Sequence, residues 1–130
     1  NVRIGINSRL DTIQAAILLE KLAEFPTELK ARNNAARKYN EKLRSSITTP
    51  TVPDGYYSSW AQYTLVSATR DREMIKYKAL NIPTMIYYGC CMHQQSAFLA
   101  LKHTDEDFPV ASRLAREVFS LPMHGYMLDD

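Results

Sequence analysis

Gly5-Ile6-Asn7-Ser8-Arg9-Leu10-Asp11-Thr12-Ile13-Gln14-Ala15-Ala16-Ile17-Leu18 decides how this chain is read, because it joins a helix start, an apolar stripe and a cluster of polar groups at the helix mouth. Ser8 with Asp11 fits a capping pattern: the Ser8 hydroxyl accepts from a first-turn amide and the acid favours the positive helix end. A helix is expected from Ser8. Leu10, Ile13, Ile17, Leu18, Leu22 and Phe25 recur at three- and four-residue steps, and Ala15 and Ala16 add a flat surface, so the spacing predicts that this face is core. Pro26 disfavours helical geometry at Phe25 but suits the first turn of a new helix, which predicts a kink or restart, with a second helix running to about Leu43. Its apolar positions (Leu29, Ala36, Tyr39, Leu43) are sparse among Lys30, Arg32, Arg37, Lys38, Lys42 and Arg44. Such a run is a solvated face or a polyanion surface.

Further along, Pro50, Pro53 and Gly55 mark a turn-rich loop from Ile47 to Ser58. Trp60, Tyr63, Leu65 and Val66 predict a strand over about 59–67. Asp71 to Leu80 is expected as a short helix with Met74, Ile75 and Leu80 inward, ended by Asn81 in a left-handed position. Ile82 to Tyr88 reads as a second strand with Pro83 at its start. Gly89 to Gln95 is a loop and Ser96 to Leu101 a helical turn. Asp107 and Pro109 open a last helix with Val110, Leu114 and Val118 inward. The sum is a two-layer α+β domain with few strands.

The 130 residues make one domain able to bury roughly two-thirds of its unfolded surface. Apolar residues at 45% and charged ones at 23% exclude a disordered or fibrous chain. Sixteen basic residues against 14 acidic ones give too small an excess for a surface built to neutralise a duplex, so no nucleic-acid partner is expected. No stretch reaches the roughly 18 apolar residues a membrane helix needs, and the chain is expected to be soluble. Cys90 and Cys91 are adjacent and close no useful loop, which points to a reducing, cytoplasmic compartment. Beginning at Asn1 without a leader, the sequence looks excised from a longer protein.

His93, His103 and His124 lack the short spacing that puts two ligands on one metal, so no metal site is expected. Phosphate-loop, dinucleotide and hydrolase-elbow motifs are absent from the sequence. A Cys91/His93 nucleophile pair would need side chains two residues apart to face each other. Asn7 and Arg9, an amide and a guanidinium at the positive end of a helix, either form an anion site or merely cap and solvate that helix.

The motif Gly5-x-Asn7-x-Arg9-Leu10-Asp11-x-x-Gln14-Ala15-Ala16-x-Leu18 closely resembles the segment just after the active-site lysine in DegT/DnrJ/StrS-type sugar aminotransferases, pyridoxal-phosphate enzymes of fold type I. Arg32-Asn33 through Tyr39, Ser59-Trp60-Ala61-Gln62-Tyr63, Ile82-Pro83-Thr84 with Tyr87-Tyr88, His93-Gln94-Gln95-Ser96-Ala97-Phe98, Phe108-Pro109-Val110-Ala111 and Leu121-Pro122-Met123-His124 resemble that family in the same order. The resemblance implies that residues 1–130 are a single C-terminal small domain. Its connecting helices (about 8–45) would pack on a short, mainly antiparallel sheet, with the N-terminal cofactor-binding large domain absent from this chain.

It further implies a parent that moves an amino group, with glutamate as donor, to a nucleotide-linked keto-sugar for polysaccharide or amino-sugar biosynthesis. Asn7 would reach the pyridoxal phosphate of the other subunit in a homodimer with shared active sites, and Arg9 would lie near that phosphate or the substrate. His93, Gln94 and Tyr88 would contact substrate, against the plainer readings of a surface-loop histidine and a core aromatic. The lysine that carries the cofactor would precede Asn1, so no catalytic residue is assigned and the fragment alone is expected to be inactive. Two alternatives stand beside it: a sugar dehydratase of the same family with histidine in place of that lysine, and a non-enzymatic regulatory or interaction domain. Gly89-Cys90-Cys91-Met92 departs from the proline-rich stretch common in the family, which puts substrate choice in doubt. Gly125 stands where proline is frequent, with slight consequence expected.

Overall fold

In a computed structural model that describes Val2, Arg3, Gly5 and residues 9–127, one helix dominates: α1 spans Thr12–Leu43, 32 residues. At about 1.5 Å per residue it is roughly 48 Å long, more than the rest of the fold can cover. Its cap is Asp11, in extended geometry, whose Oδ1 accepts from the Gln14 amide at 2.8 Å. The helix therefore starts three residues later than a Ser8 cap would place it, and Ser8 itself lies outside the described residues. Pro26 does not restart a second helix: α1 is continuous through it. The Leu22 carbonyl, which Pro26 leaves without an amide donor, belongs to an exposed residue where water can serve it.

The face expected to be core is bare. Leu10, Ile13, Ile17, Leu18, Leu22 and Phe25 are all exposed, Ile13 to 75%. Periodicity reports that a stripe needs cover, and among the described residues nothing supplies it. The second half of α1 packs instead, through Ala36 at 1% exposure with Tyr39 and Leu43 beside it.

Following α1 come β1 (Tyr63–Val66), α2 (Arg70–Ala79), two 3-10 turns (Met92–Gln94 and Ser96–Leu101), α3 (Pro109–Glu117) and β2 (Val118–Leu121). β1 and β2 pair antiparallel, with Tyr63 opposite Leu121 and Leu65 opposite Phe119. Those four side chains, with Trp60 and Ala36, are the buried core. Tyr39 and Trp60 pack on Tyr63 with ring centroids 4.8 and 5.7 Å away, and Tyr77 of α2 meets Phe119 at 5.8 Å. Two asparagines of α1 satisfy the polar tips of these aromatics: Tyr63 Oη donates to Asn40 Oδ1 at 2.6 Å, and Trp60 Nε1 to Asn33 Oδ1 at 3.0 Å. Burial pushes the Tyr63 hydroxyl up to about 12.

The α+β class and the antiparallel sheet agree with the sequence reading, whereas several elements differ. β1 is shorter than 59–67 because Trp60 is held at φ 48°, out of extended geometry, as its ring enters the core. Residues 82–88 are not a strand; only Met85 bridges, exchanging backbone bonds of 3.1 and 2.7 Å with Ser120. The second strand is Val118–Leu121, placed by the sequence reading at the end of a helix. It is buried from Phe119 to Leu121, Ser120 included, so it lacks the alternation that reveals a half-buried strand.

α2 turns Met74 and Tyr77 inward while Ile75 and Leu80 are exposed, and Asn81 has the expected left-handed φ of 58°. α3 begins at Pro109 as expected but buries Ser112 and Ala115, leaving Val110 exposed and Leu114 and Val118 half-buried. Gly125 matters more than its substitution for proline suggested. A Cβ there would sit 3.1 Å from Glu28 Cα, so a side chain would force the tail off α1, where Tyr126 Oη donates to Glu28 at 2.6 Å.

Candidate functional site

The segment from Tyr88 to Leu101 follows the Met85 bridge and precedes α3, so a sheet bridge holds one end and a helix start the other. Met92–Gln94 closes a 3-10 turn in which the Gln94 amide donates to Cys91 O at 3.1 Å and Gln95 to Met92 O at 3.1 Å. The Gln94 side chain works at both ends of this turn. Its Oε1 accepts from the Cys91 amide at 2.9 Å and its Nε2 donates to Asp105 Oδ1 at 2.8 Å.

Asp105 gathers three donors. His93 Nε2 reaches the same Oδ1 at 2.9 Å, and Arg116 of α3 approaches Oδ2 at 3.4 Å. The hydrogen bond from His93, then that from Gln94, holds the Asp105 carboxyl below its ordinary range. The His93 ring lies over Phe108, centroids 5.1 Å apart, and its side chain is 7% exposed. His103 also packs on Phe108, edge-on at 5.3 Å, and is itself 3.5 Å from Asp107. Asp107 also accepts from the Thr104 amide, which lowers its carboxyl in the same direction. Behind the turn, Met92, His93, Phe98, Leu101 and Phe108 wall an open cleft of about 440 Å³.

Of the residues singled out from the sequence, the structure brings His93 and Gln94 together on one carboxylate. Tyr88 stands apart from that carboxylate, 74% exposed and edge-on to Tyr87. Arg9 is exposed, just ahead of the Asp11 cap, and Asn7 lies outside the described residues. Sequence reading missed Asp105, Phe108 and Arg116 as parts of this cluster. Twelve residues separate His93 from Asp105 and eleven separate Asp105 from Arg116, and no periodicity connects them. The one available signal was the run Asp105-Glu106-Asp107 opposite two histidines of the same segment.

The described residues do not form a pocket for pyridoxal phosphate. No lysine among them is buried, and the buried polar residues are Ser112 and Ser120 alone, so a covalent anchor and an acid for the pyridine nitrogen are both lacking here. Among the described residues no three His, Cys, Asp or Glu side chains cluster to hold a metal ion, and no helix is long and apolar enough to cross a membrane.

A long helix laid on a two-stranded antiparallel sheet is the architecture this chain shares with part of solved fold type I aminotransferases. The profile of the DegT/DnrJ/EryC1/StrS aminotransferase family matches residues 1–130, and the chain belongs to that family. It is 38% identical over 128 residues to the UDP-2-acetamido-2-deoxy-3-oxo-D-glucuronate aminotransferase of Pseudomonas aeruginosa, a match covering 98% of this chain and 35% of that protein. It is 36% identical over 124 residues to a pleiotropic regulatory protein of Geobacillus stearothermophilus, covering 92% of this chain and 33% of that one. The crystal structure of a DegT DnrJ EryC1 StrS aminotransferase from Brucella abortus superposes with a TM-score of 0.83 at 47% identity, covering 99% of this chain and 35% of that chain. The chain thus spans about a third of the length of the relatives it matches, which include aminotransferases of nucleotide-linked sugars.

Proposed function

We propose that this chain is the C-terminal third of a cytoplasmic, homodimeric aminotransferase that moves an amino group from glutamate to a nucleotide-linked keto-sugar for polysaccharide or amino-sugar biosynthesis. Pyridoxal phosphate, when bound, supplies the electron sink for that exchange. It is held mainly by the large domain outside this chain, and the chain alone is inactive. Arg9 brings a guanidinium just ahead of the positive end of α1, and with Asn7, which lies outside the described residues, we assign it to the phosphate of the other subunit's cofactor. Tyr88, His93 and Gln94 belong to the loop that faces the substrate.

The observation that carries this reading is the family match over residues 1–130 at about a third of the relatives' length. The bare stripe from Leu10 to Phe25 supports it physically. Burying a leucine, isoleucine or phenylalanine contributes about 1.5–3 kcal/mol each, so covering six of them is worth on the order of 10 kcal/mol, as much as the net stability of a whole domain. A surface of that kind belongs against protein, and the two-thirds of the parent outside this chain is the partner we assign to it.

The test is expression of the parent and of this segment alone, each saturated with pyridoxal phosphate and assayed for glutamate-dependent amination of a UDP-linked 3-keto-sugar. Amination by the parent and none by the segment is expected. Loss of a hydroxyl from the sugar without glutamate consumption would mark the dehydratase instead. A parent that neither retains the cofactor nor aminates would leave the regulatory reading, which the name of the Geobacillus relative favours.

A further inference from the structure

Asp105 is 49% exposed at its side chain, yet it collects donors from two elements: His93 and Gln94 of the 3-10 turn and Arg116 of α3. An exposed carboxylate with three protein donors acts as a peg. The turn it holds has little else to fix it. Its inner side faces the cleft of about 440 Å³ rather than a filled core, its backbone closes through two bonds of 3.1 Å, and Met92 is exposed. His93 meanwhile has one imidazole nitrogen on Asp105, one face on Phe108 and little surface left. Gln94 spends both ends of its amide within the protein. The charged and titratable groups around the turn are Asp105, Arg116, the Cys90 and Cys91 thiols, and the His103–Asp107 pair, whose imidazole also packs on Phe108.

We infer that Asp105 is a positioning residue: by seating His93 and Gln94 it fixes the shape of the Tyr88–Gln95 loop, and those two side chains serve the loop while Tyr88 is the group it presents to a ligand. This deepens the proposed function and rests on it only for the identity of the ligand; the peg itself is a property of this chain. His93→Gln keeps a donor within reach of Asp105, His93→Ala does not, and Asp105→Ala removes the acceptor for all three partners.

The experiment has two arms. In the full 130-residue chain, hydrogen exchange is followed at the amides of Cys91, Gln94 and Gln95. Asp105→Ala and His93→Ala should each speed it by roughly three- to tenfold, the double variant should be no faster than the Asp105 single, and His93→Gln should restore much of the protection. Glu106→Ala, one residue away in sequence, is the control and should exchange like the original chain. In the parent enzyme, Asp105→Ala and His93→Ala should raise KM for a UDP-linked 3-keto-sugar by the same factor with kcat held, whereas Tyr88→Ala should add its effect to theirs.

Unchanged exchange in Asp105→Ala overturns the inference. So does a KM that responds to His93→Gln as strongly as to His93→Ala while ignoring Asp105→Ala, the pattern of a histidine that touches substrate. A parent without any turnover defeats the functional reading alone, since the exchange arm uses no substrate and still decides the role of Asp105.

Discussion

The two halves of α1 share one backbone and have opposite relations to the fold. The N-terminal half holds most of the large apolar side chains and buries none of them; the C-terminal half is rich in charge and amide and carries the core contact. What packs there is a small residue, Ala36, which lets the helix approach the sheet, flanked by Asn33 and Asn40, which hold the Trp60 and Tyr63 tips. Apolar content therefore marks where a helix needs a partner, and the mark stands here without the packing. Small size and matched hydrogen bonding mark where this chain is complete in itself.

That contrast is sharpest in stability. Phe119→Ala, at the centre of the packed region, should cost about 3–5 kcal/mol in urea unfolding, whereas Ile17→Ala on the bare half should change the chain by less than about 0.5 kcal/mol. Comparable losses from the two would erase the distinction between the halves. Asn40→Ala tests the amide side of the contrast. It leaves the Tyr63 hydroxyl without the acceptor on which it closes at 2.6 Å, and a cost of about 1–3 kcal/mol is expected by the same unfolding measurement. Asp11→Ala removes the one cap seen on the bare half and should lower helicity, with a cost of about 1 kcal/mol by circular dichroism and thermal melting.

The titrations separate the same regions. Tyr63 is raised by burial, to about 12, so its contribution is whole below about pH 10, the ordinary tyrosine value, and is lost as pH rises through the folded value. Ultraviolet difference titration should therefore show Tyr63 ionising late and together with unfolding, with Tyr39 and Tyr77 raised by burial in the same direction. Asp105 has the opposite sign. Its carboxyl is lowered by the His93 bond, so the peg is whole above the ordinary aspartate range of about 4 and is lost only as pH falls through the lower folded value. Acid should release the turn while the Tyr63 core stays closed, a difference that exchange at Gln94 and at Leu65 would read.

Much of this was legible in the residues, and the omissions have physical causes. The left-handed Asn81 and Pro109 at a helix start follow from local chemistry, where a single residue's backbone preference decides, while the end of α1 at Leu43 and the α+β class follow from the order of apolar and polar segments. The strands were harder, because Val118–Leu121 is buried without alternation and Trp60 leaves extended geometry to fill the core. Pro26 does not split α1 in two, because an exposed helix lets water replace the amide it lacks. At the site, the loop and its His93 and Gln94 stood out through resemblance alone. Asp105 did not, since hydrogen bonds that close over eleven or twelve residues leave no period in a sequence. The roles of Asn7 and Arg9 rest on resemblance, with Asn7 outside the described residues.

Hydrogen exchange along residues 13–25, measured on this chain alone and again within the parent protein, bears most directly on the claim that the stripe of α1 is a seat for the rest of the enzyme. The account predicts rapid exchange in the isolated chain and slowing of about a hundredfold or more in the parent, with the amides of Tyr63 to Val66 protected in both. Equal exchange of residues 13–25 in the two proteins would contradict it.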